Sequence, residues 1–262
     1  MSFISSSDGV ELSYEVLGEG DITLVFVGGL GVPTARKIWR NQLTLSSKYK
    51  MILFDLAGHG NSGKNRENYT MELFAQDVKS VVEKLDLSNV ILVGHSMGGP
   101  VILEAERMIS DRVIGLIAID SLFPSGDSSY IGYPDHIVAE IVKPMQSDFI
   151  GTMTAMYKSM LSAKMDPQDI AEAEKTPDTI DRRSIISAFA ELHRWDMHKI
   201  LPNVSKPLKC IVSGKTVPGD KREEYNHLFD AVYHEGVGHL LFMEEPATFN
   251  DILEGCIREL LA

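Results

Sequence analysis

The sequence contains few cysteines, few basic residues and no long apolar run, and each shortage argues against a class of protein. Its two cysteines, Cys210 and Cys256, are too few for a disulfide framework. Lysine and arginine number 25 against 37 aspartate and glutamate residues, which gives a formal charge of −12. A field of that sign repels polyanions, so nucleic acid is not an expected partner. No apolar stretch approaches the roughly 20 residues that span a bilayer, so a membrane is not expected either.

The remaining composition is that of a globular chain with a large core. Of the 262 residues, 44% are hydrophobic, which argues against disorder. The length fits one large α/β domain or two small ones. Residues 1–9 have no basic start followed by an apolar run, so no secretory signal is predicted and we expect a cytoplasmic protein.

Short apolar runs rich in β-formers alternate with helical patterns over the first 120 residues and again after residue 200. Predicted strands cover residues 2–6, 11–17, 22–27, 51–54, 90–93, 113–119, 208–212 and 231–234. Predicted helices cover residues 35–46, 100–109 and 246–260, with others beginning near residues 70 and 220. Apolar strands separated by amphipathic helices are typical of a mostly parallel, twisted sheet with helices on both faces.

This alternation stops between residues 121 and 200, where helical patterns occur without a comparable strand. We interpret the chain as one α/β core, formed by residues 1–120 and 201–262, with a helical cap inserted at residues 121–200. The chain is thus better described as a single domain with a lid than as two small domains.

The clearest chemical signal is the pattern Gly-x-Ser-x-Gly at residues 94–98. It directly follows an apolar strand and precedes a helix, which is the context of a strained nucleophile elbow. Such a turn projects the serine hydroxyl above the sheet edge and points backbone N–H groups at an oxyanion beside it. We predict that Ser96 is a nucleophile. The alternative, a glycine-rich turn with an incidental serine, fits this context less well.

A serine hydroxyl needs a base, and His239 is the candidate among eight histidines. It lies in a glycine-containing loop between the last predicted strand and the last helix. Chain order places the histidine of a hydrolase triad after its nucleophile, at this position. The alternative is an ordinary surface-loop histidine.

Together these motifs resemble the α/β-hydrolase superfamily, in the branch with a helical cap after the sixth strand. Residues 55–62 match D-x-x-G-x-G-x-S, residues 94–99 match the elbow, and residues 238–250 match the histidine loop. The resemblance covers nearly all of the chain, although the cap matches only in position and helical character. It implies the α/β-hydrolase fold and acyl transfer from a serine nucleophile.

The resemblance also implies an oxyanion hole, with one departure from the usual pattern. Relatives usually have His-Gly after the third strand, whereas this sequence has Gly28 and Gly29. The residue after that pair normally contributes its N–H group, so the resemblance points to Leu30 together with Met97.

A second departure concerns the acid that orients the histidine. Relatives commonly end the seventh strand with Gly-x-x-Asp, but Val217 occupies the position of that aspartate. Asp220 lies three residues further on, and Asp120 ends the sixth strand, from which some members of the superfamily supply the carboxylate. We favour Asp120 as the acid, while Asp220 stays open. Asp120 could also be a strand-end cap without a catalytic role.

Three patterns that suggest a cofactor or metal fail on their context. Residues 58–63 fit G-x-G-x-x-G, but a polar loop follows instead of a helix. Residues 214–216, Gly-Lys-Thr, match the end of a P-loop motif, but Lys209 stands where the first glycine of that motif is required. His234 and His239 are five residues apart rather than four, so they would not share a helical face. No cofactor and no metal site is predicted.

Methionines recur in the predicted cap, and two interpretations are compatible. The set is Met145, Met153, Met156, Met160 and Met165. These side chains could form the buried face of cap helices, or they could line an adaptable acyl pocket beneath the cap.

The expected function is hydrolysis of a carboxylic ester by Ser96, His239 and Asp120, with a small or medium-sized molecule as substrate. A serine nucleophile argues against the members that attack through a carboxylate. A C–C bond hydrolase or a lactonase with the same triad remains an alternative, as does a ligand receptor on the same scaffold. The oligomeric state is left open, with a homodimer as one alternative.

Overall fold

A computed structural model describes residues 2–123, 130–176 and 180–262, and an eight-stranded sheet forms its centre. The strands are β1 (Ser2–Ser5), β2 (Glu11–Leu17), β3 (Thr23–Val27), β4 (Lys50–Phe54), β5 (Val90–His95), β6 (Val113–Ile119), β7 (Leu208–Ser213) and β8 (Asp230–His234). Their order is β1-β2-β4-β3-β5-β6-β7-β8. β2 pairs antiparallel with both β1 and β4, and the remaining pairings of the sheet are parallel. The predicted mostly parallel sheet is confirmed.

The central strands are apolar on both faces because helices cover both. All five residues of β3 are buried. Val25 and Val27 belong to the hydrophobic cluster on one face, whereas Leu24 and Phe26 belong to the cluster on the other. Helices α2 (Met71–Lys84) and α3 (Gly98–Ile109) pack on the first face, while α1 (Ala35–Ile38) and α11 (Pro246–Leu260) pack on the second.

The single helix predicted over residues 35–46 is wrong, because α1 ends at Ile38 and a 3₁₀ helix, Arg40–Ser47, follows. At the junction the indole of Trp39 is fully buried between the rings of Phe26 and Phe242. The hydroxyls of Ser46 and Ser47 each bond to the carbonyl three residues earlier, which competes with regular α-helical bonding. These local bonds and the buried indole accompany the change to the tighter 3₁₀ geometry.

The C-terminal third is also more finely divided than predicted. The helix expected from about residue 220 is a 3₁₀ turn, Gly219–Lys221, followed by the short helix α9 (Arg222–Asn226). A further short helix, α10 (Leu241–Glu244), precedes α11 and was not predicted. The bounds of β6 and α11 agree with the prediction.

Between β6 and β7 the described residues are mainly helical. The helices are α4 (Asp135–Ser147), α5 (Phe149–Met160), α6 (Pro167–Lys175), α7 (Arg182–Arg194) and α8 (Met197–Ile200). Four fully or nearly fully buried residues, Met145, Phe149, Met153 and Ile185, form a separate small core in this region. Trp195 also ties the region to α3, since its Nε1 donates to the buried Glu104 across 2.8 Å. That residues 121–200 act as a cap stays a prediction. Among the described helices, none is both long and apolar enough to cross a membrane.

Candidate active site

Ser96 lies in a tight turn between β5 and α3. Its φ is +54°, in the left-handed region that residues other than glycine rarely adopt. A Cβ on Gly94 would lie 2.3 Å from the carbonyl oxygen of Gly98, and a Cβ on Gly98 would lie 2.5 Å from that of Val27. Glycine at both positions therefore permits the close approach on which this turn depends.

The imidazole of His239 is hydrogen-bonded to the carboxylate of Asp120. His239 lies on the loop between β8 and α10, and Asp120 directly follows β6. Nδ1 of His239 donates to Oδ2 of Asp120 across 2.6 Å, and the aspartate is fully buried. With Nδ1–H engaged, Nε2 is the nitrogen that can accept a proton.

Two further donors hold Asp120, and the sequence carried no signal for either. The backbone N–H of Ser213 donates to Oδ1 across 2.8 Å, and the Thr216 hydroxyl donates to Oδ2 across 2.9 Å. Both residues follow or end β7, which pairs with β6 in parallel. The carboxylate thus accepts two hydrogen bonds from the end of a neighbouring strand, and these fix its position beside His239.

The other candidate acid lies elsewhere. Asp220 is exposed, in the 3₁₀ turn Gly219–Lys221. Val217, which stands at the position where relatives have an acid, is buried. The hydrogen-bond partner of His239 in the structure is therefore Asp120, the carboxylate that directly follows β6.

His95 connects the turn of the predicted nucleophile to the histidine loop, which the sequence did not indicate. Its Nε2 lies 3.0 Å from the carbonyl oxygen of His239, and the two rings are 4.6 Å apart. Burial, together with the nearby His239, holds the pKa of His95 well below its usual range. A neutral His95 therefore donates through Nε2 to that carbonyl.

The two residues predicted to donate to an oxyanion, Leu30 and Met97, both lie close to Ser96. A Cβ on Gly29 would lie 3.0 Å from the Cβ of Ser96, so the loop that continues into Leu30 passes directly against the serine. Met97 follows Ser96 at the N-terminal end of α3. Within the described ranges, neither the Leu30 nor the Met97 N–H group donates a backbone hydrogen bond. Among the described residues, both N–H groups thus lack an acceptor, as the donors of an oxyanion hole must.

A cavity of about 580 Å³ is lined by both Ser96 and His239. Its walls are largely apolar, with Ile141 and Phe189 from the helices between β6 and β7 and Leu240 from the histidine loop. This volume is in the range of pockets that enclose small or medium-sized ligands.

The charged side chains that line this cavity are satisfied within the protein. Lys37 pairs with Glu172 at 2.7 Å, and Arg40 pairs with both oxygens of Asp169 at 2.5 Å. Lys215 donates to two backbone carbonyls at the end of α5. The cavity therefore offers no cation that lacks a partner among the described residues.

The methionines divide between the two predicted environments. Met145 and Met153 are buried in the small core of the helical region. Met156, Met160 and Met165 line the cavity. Part of the set thus lies in a buried core and part lines the cavity, and that the second part contacts an acyl group stays a prediction.

The G-x-G-x-x-G segment at residues 58–63 has a structural function. Oδ1 of Asp55 accepts from the N–H of Ala35 across 2.6 Å, and Oδ2 accepts from the N–H of Asn61 across 2.8 Å. A Cβ on Gly60 would lie 2.3 Å from Asp55, so glycine is required there. The segment folds around this carboxylate and fixes the start of α1.

Comparison with known proteins agrees with this architecture. A sequence profile described as the alpha/beta hydrolase family matches residues 24–252. The esterase EaEST from Exiguobacterium antarcticum superposes with a TM-score of 0.84 at 20% identity, covering 98% of this chain and 99% of the esterase. Est816, described as an N-acyl homoserine lactone degrading enzyme, superposes with a TM-score of 0.82 at 23% identity. The match covers 97% of this chain and 99% of Est816.

A receptor is also among the relatives. The karrikin insensitive 2 receptor CA of Petunia hybrida is 24% identical over 208 residues, which is 77% of this chain and 76% of the receptor. Because the family profile spans most of its length, this chain belongs to the alpha/beta hydrolase family. The solved structures that it resembles include esterases and other hydrolases of that fold.

Proposed function

We propose that this protein is a serine hydrolase that cleaves a carboxylic ester through an acyl-enzyme intermediate. The observation that carries the proposal is the shared cavity of Ser96 and His239, with His239 bonded to the buried Asp120. A nucleophile, a base and an orienting acid in this arrangement are the parts that acyl transfer requires.

In the first half of the reaction, Ser96 Oγ attacks the carbonyl carbon while Nε2 of His239 takes its proton. The imidazolium that forms donates through Nδ1 to Asp120, whose negative charge stabilises it. The N–H groups of Leu30 and Met97 donate to the oxyanion of the tetrahedral intermediate. A well-placed donor of this kind contributes about 3 kcal/mol to transition-state stabilisation.

In the second half, the protonated His239 gives its proton to the leaving alcohol, and the acyl group remains on Ser96. His239 then takes a proton from water as the water attacks the acyl carbonyl. It returns that proton to Ser96 Oγ when the bond between the acyl group and Oγ breaks and the acid is released. The same donors serve both tetrahedral intermediates, because both place the oxyanion at one position.

The proposed substrate is a small or medium-sized, uncharged ester. The cavity volume of about 580 Å³ and its apolar walls favour an aliphatic or aromatic acyl group. The charged lining groups, Arg40 with Asp169 and Lys37 with Glu172, already pair with each other. A carboxylate or phosphate on the substrate would have to break one of these pairs to be bound.

Hydrolysis of nitrophenyl esters of increasing acyl length tests the proposal, with Ser96→Ala as the control. We expect Ser96-dependent turnover with a maximum at short or medium chains. A fluorophosphonate should label the wild-type protein at Ser96 and leave Ser96→Ala unlabelled. Turnover that persists in Ser96→Ala would rule out the proposed nucleophile.

The lactonase and receptor alternatives give different results in the same assay. An acyl homoserine lactone that is hydrolysed faster than every open-chain ester would favour a lactonase, since Est816 is described as an N-acyl homoserine lactone degrading enzyme. A receptor would bind ligand with little or no Ser96-dependent turnover on any ester or lactone. The relationship to the Petunia receptor is the reason to include a binding measurement.

A further inference from the structure

Glu244 is a buried carboxylate whose described partners are N–H and O–H donors rather than a basic side chain. It ends α10 and is 7% exposed. Its Oε2 accepts from the N–H of Gly238 across 2.7 Å, and its Oε1 accepts from the N–H of Ser162 across 3.1 Å. The hydroxyl of Ser162 also donates to Oε2. Burying a carboxylate is costly, so three donors converging on it indicate a specific role.

The partners of Glu244 belong to two different parts of the molecule. Gly238 directly precedes His239 on the histidine loop, whereas Ser162 follows the end of α5 in the helical region. One carboxylate therefore joins the loop that carries the proposed base to residues 159–162.

Other bonds run between the same two places. The backbone N–H of His239 donates to the carbonyl of Met160 across 2.8 Å. A Cβ on Gly238 would lie 2.4 Å from the same carbonyl oxygen, so the two backbones are in close contact. Lys215, next to the Thr216 that bonds Asp120, donates to the carbonyls of Ser159 and Leu161.

We propose that Glu244 is a positioning residue that holds His239 against Asp120 by fastening the histidine loop to residues 159–162. This inference rests on the proposed function, because positioning matters to the rate only if His239 is the base. Loops carry catalytic groups but lack the rigidity of helices, so they depend on such attachments. Displacing a catalytic group by about 1 Å costs on the order of 100-fold in rate.

A glutamine at position 244 would have the same shape but could not satisfy this site. Both oxygens of Glu244 accept from backbone N–H groups, one from Gly238 and one from Ser162. An amide has one acceptor oxygen, so in either orientation its NH₂ group faces an N–H donor. Glu244→Gln therefore removes one attachment with little change in volume.

Glu245→Gln is the matched control. Glu245 is the next residue, and its carboxylate pairs with Lys164 and His234 instead of with the histidine loop. Ser162→Ala is a milder second variant, since it removes only the hydroxyl bond and keeps the backbone bond to Glu244.

The experiment measures kcat and KM on the best nitrophenyl ester. The concentration of active sites, by which kcat is normalised, is determined by titration with a fluorophosphonate. The experiment also follows the NMR resonance of the Nδ1 proton of His239, which reports its bond to Asp120 without any substrate. For Glu244→Gln we expect kcat to fall about tenfold, KM to stay within about twofold, and the proton resonance to shift or broaden. Ser162→Ala should lose about threefold in kcat, and Glu245→Gln should match the wild type.

An unchanged kcat per titrated site in Glu244→Gln overturns the inference, because a merely structural glutamate would lower the folded fraction alone. An equal loss in Glu245→Gln overturns it as well. If Glu244→Gln does not fold, Ser162→Ala decides, and an unchanged kcat with an unchanged resonance rejects the proposal. A wild-type protein that cleaves no ester contradicts the proposed function instead, and the proton resonance then still tests the attachment.

Discussion

Nδ1 of His239 and Oδ2 of Asp120 are 2.6 Å apart, although the two residues are separated by 119 positions in the chain. The contact is possible because β6 and β7 are neighbours in the sheet and β8 follows β7. Asp120 directly follows β6, while His239 comes from the loop after β8 and reaches across the end of β7. The proposed triad acid thus lies one strand away from the position that the family pattern suggests.

Replacing Asp120 with asparagine should nearly abolish ester hydrolysis. Asparagine has similar size but cannot stabilise the imidazolium, so we expect kcat to fall by about 10³ to 10⁴. Asp220→Asn is the control and should keep wild-type activity, because Asp220 is exposed in a surface turn. Steady-state kinetics on one nitrophenyl ester compares the two. A loss that follows Asp220→Asn and spares Asp120→Asn would assign the acid to Asp220.

Mild acid should destabilise the protein through its buried neutral histidines. Burial lowers the pKa of His59 to about 4, so below pH 6.5 the unfolded chain takes up a proton before the folded protein does. This difference should lower the free energy of unfolding by about 1 kcal/mol between pH 7 and pH 5.5. The loss continues as the pH falls further, until His59 is itself protonated near pH 4.

Urea unfolding at the two pH values measures this effect. His59→Asn keeps a donor near the Ala57 carbonyl, which lies 3.1 Å from Nδ1, but removes the titrating group. The difference between the pH dependence of the wild type and that of the variant isolates His59, because all other groups are common to both. Equal pH dependence in the two proteins would show that His59 does not contribute.

Helix α6 should be held to the rest of the protein mainly by charge. None of its residues is buried, and Arg40 bonds both oxygens of Asp169 near the cavity. Asp169→Asn should speed hydrogen exchange in α6 and raise KM a few-fold. The free energy of global unfolding should change by less than about 1 kcal/mol, since partly exposed ion pairs contribute little.

Glu174→Gln is the control for this variant. Glu174 is also on α6, but it pairs with Lys158 of α5, within the helical region. Its replacement should leave KM unchanged. Faster exchange in α6 and a raised KM in both variants alike would indicate that α6 is not held through Asp169 in particular.

Two methionines one turn apart on α5 should have separable effects. Met153 is fully buried in the small core with Met145 and Phe149, so Met153→Ala should cost about 2–4 kcal/mol of unfolding free energy. Met156 lines the cavity, so Met156→Ala should cost less and shift the preferred ester toward longer acyl chains. Denaturant unfolding of both variants measures the loss of unfolding free energy, and a series of esters of increasing acyl length measures the substrate preference. Identical acyl preferences in Met156→Ala and the wild type would contradict this assignment.

Local pattern predicted most of the sheet, because buried parallel strands read as continuous apolar runs. β2, β6 and α11 have the predicted bounds. The pattern failed at residues 35–46, where apolar spacing suited a helix but the burial of Trp39 and local serine bonds produce a 3₁₀ continuation. Periodicity describes one element at a time and does not include such contacts.

The sequence by itself determined the fold class, the turn that presents Ser96 and the loop that carries His239, because glycine spacing and strand context are local properties. Only the tertiary structure decided which carboxylate meets His239, since that depends on the order of β6, β7 and β8 in the sheet. It also decided that Thr216 supports this carboxylate and that Glu244 joins the histidine loop to Ser162, just after α5. These contacts join residues far apart in the chain, and no local spacing encodes them.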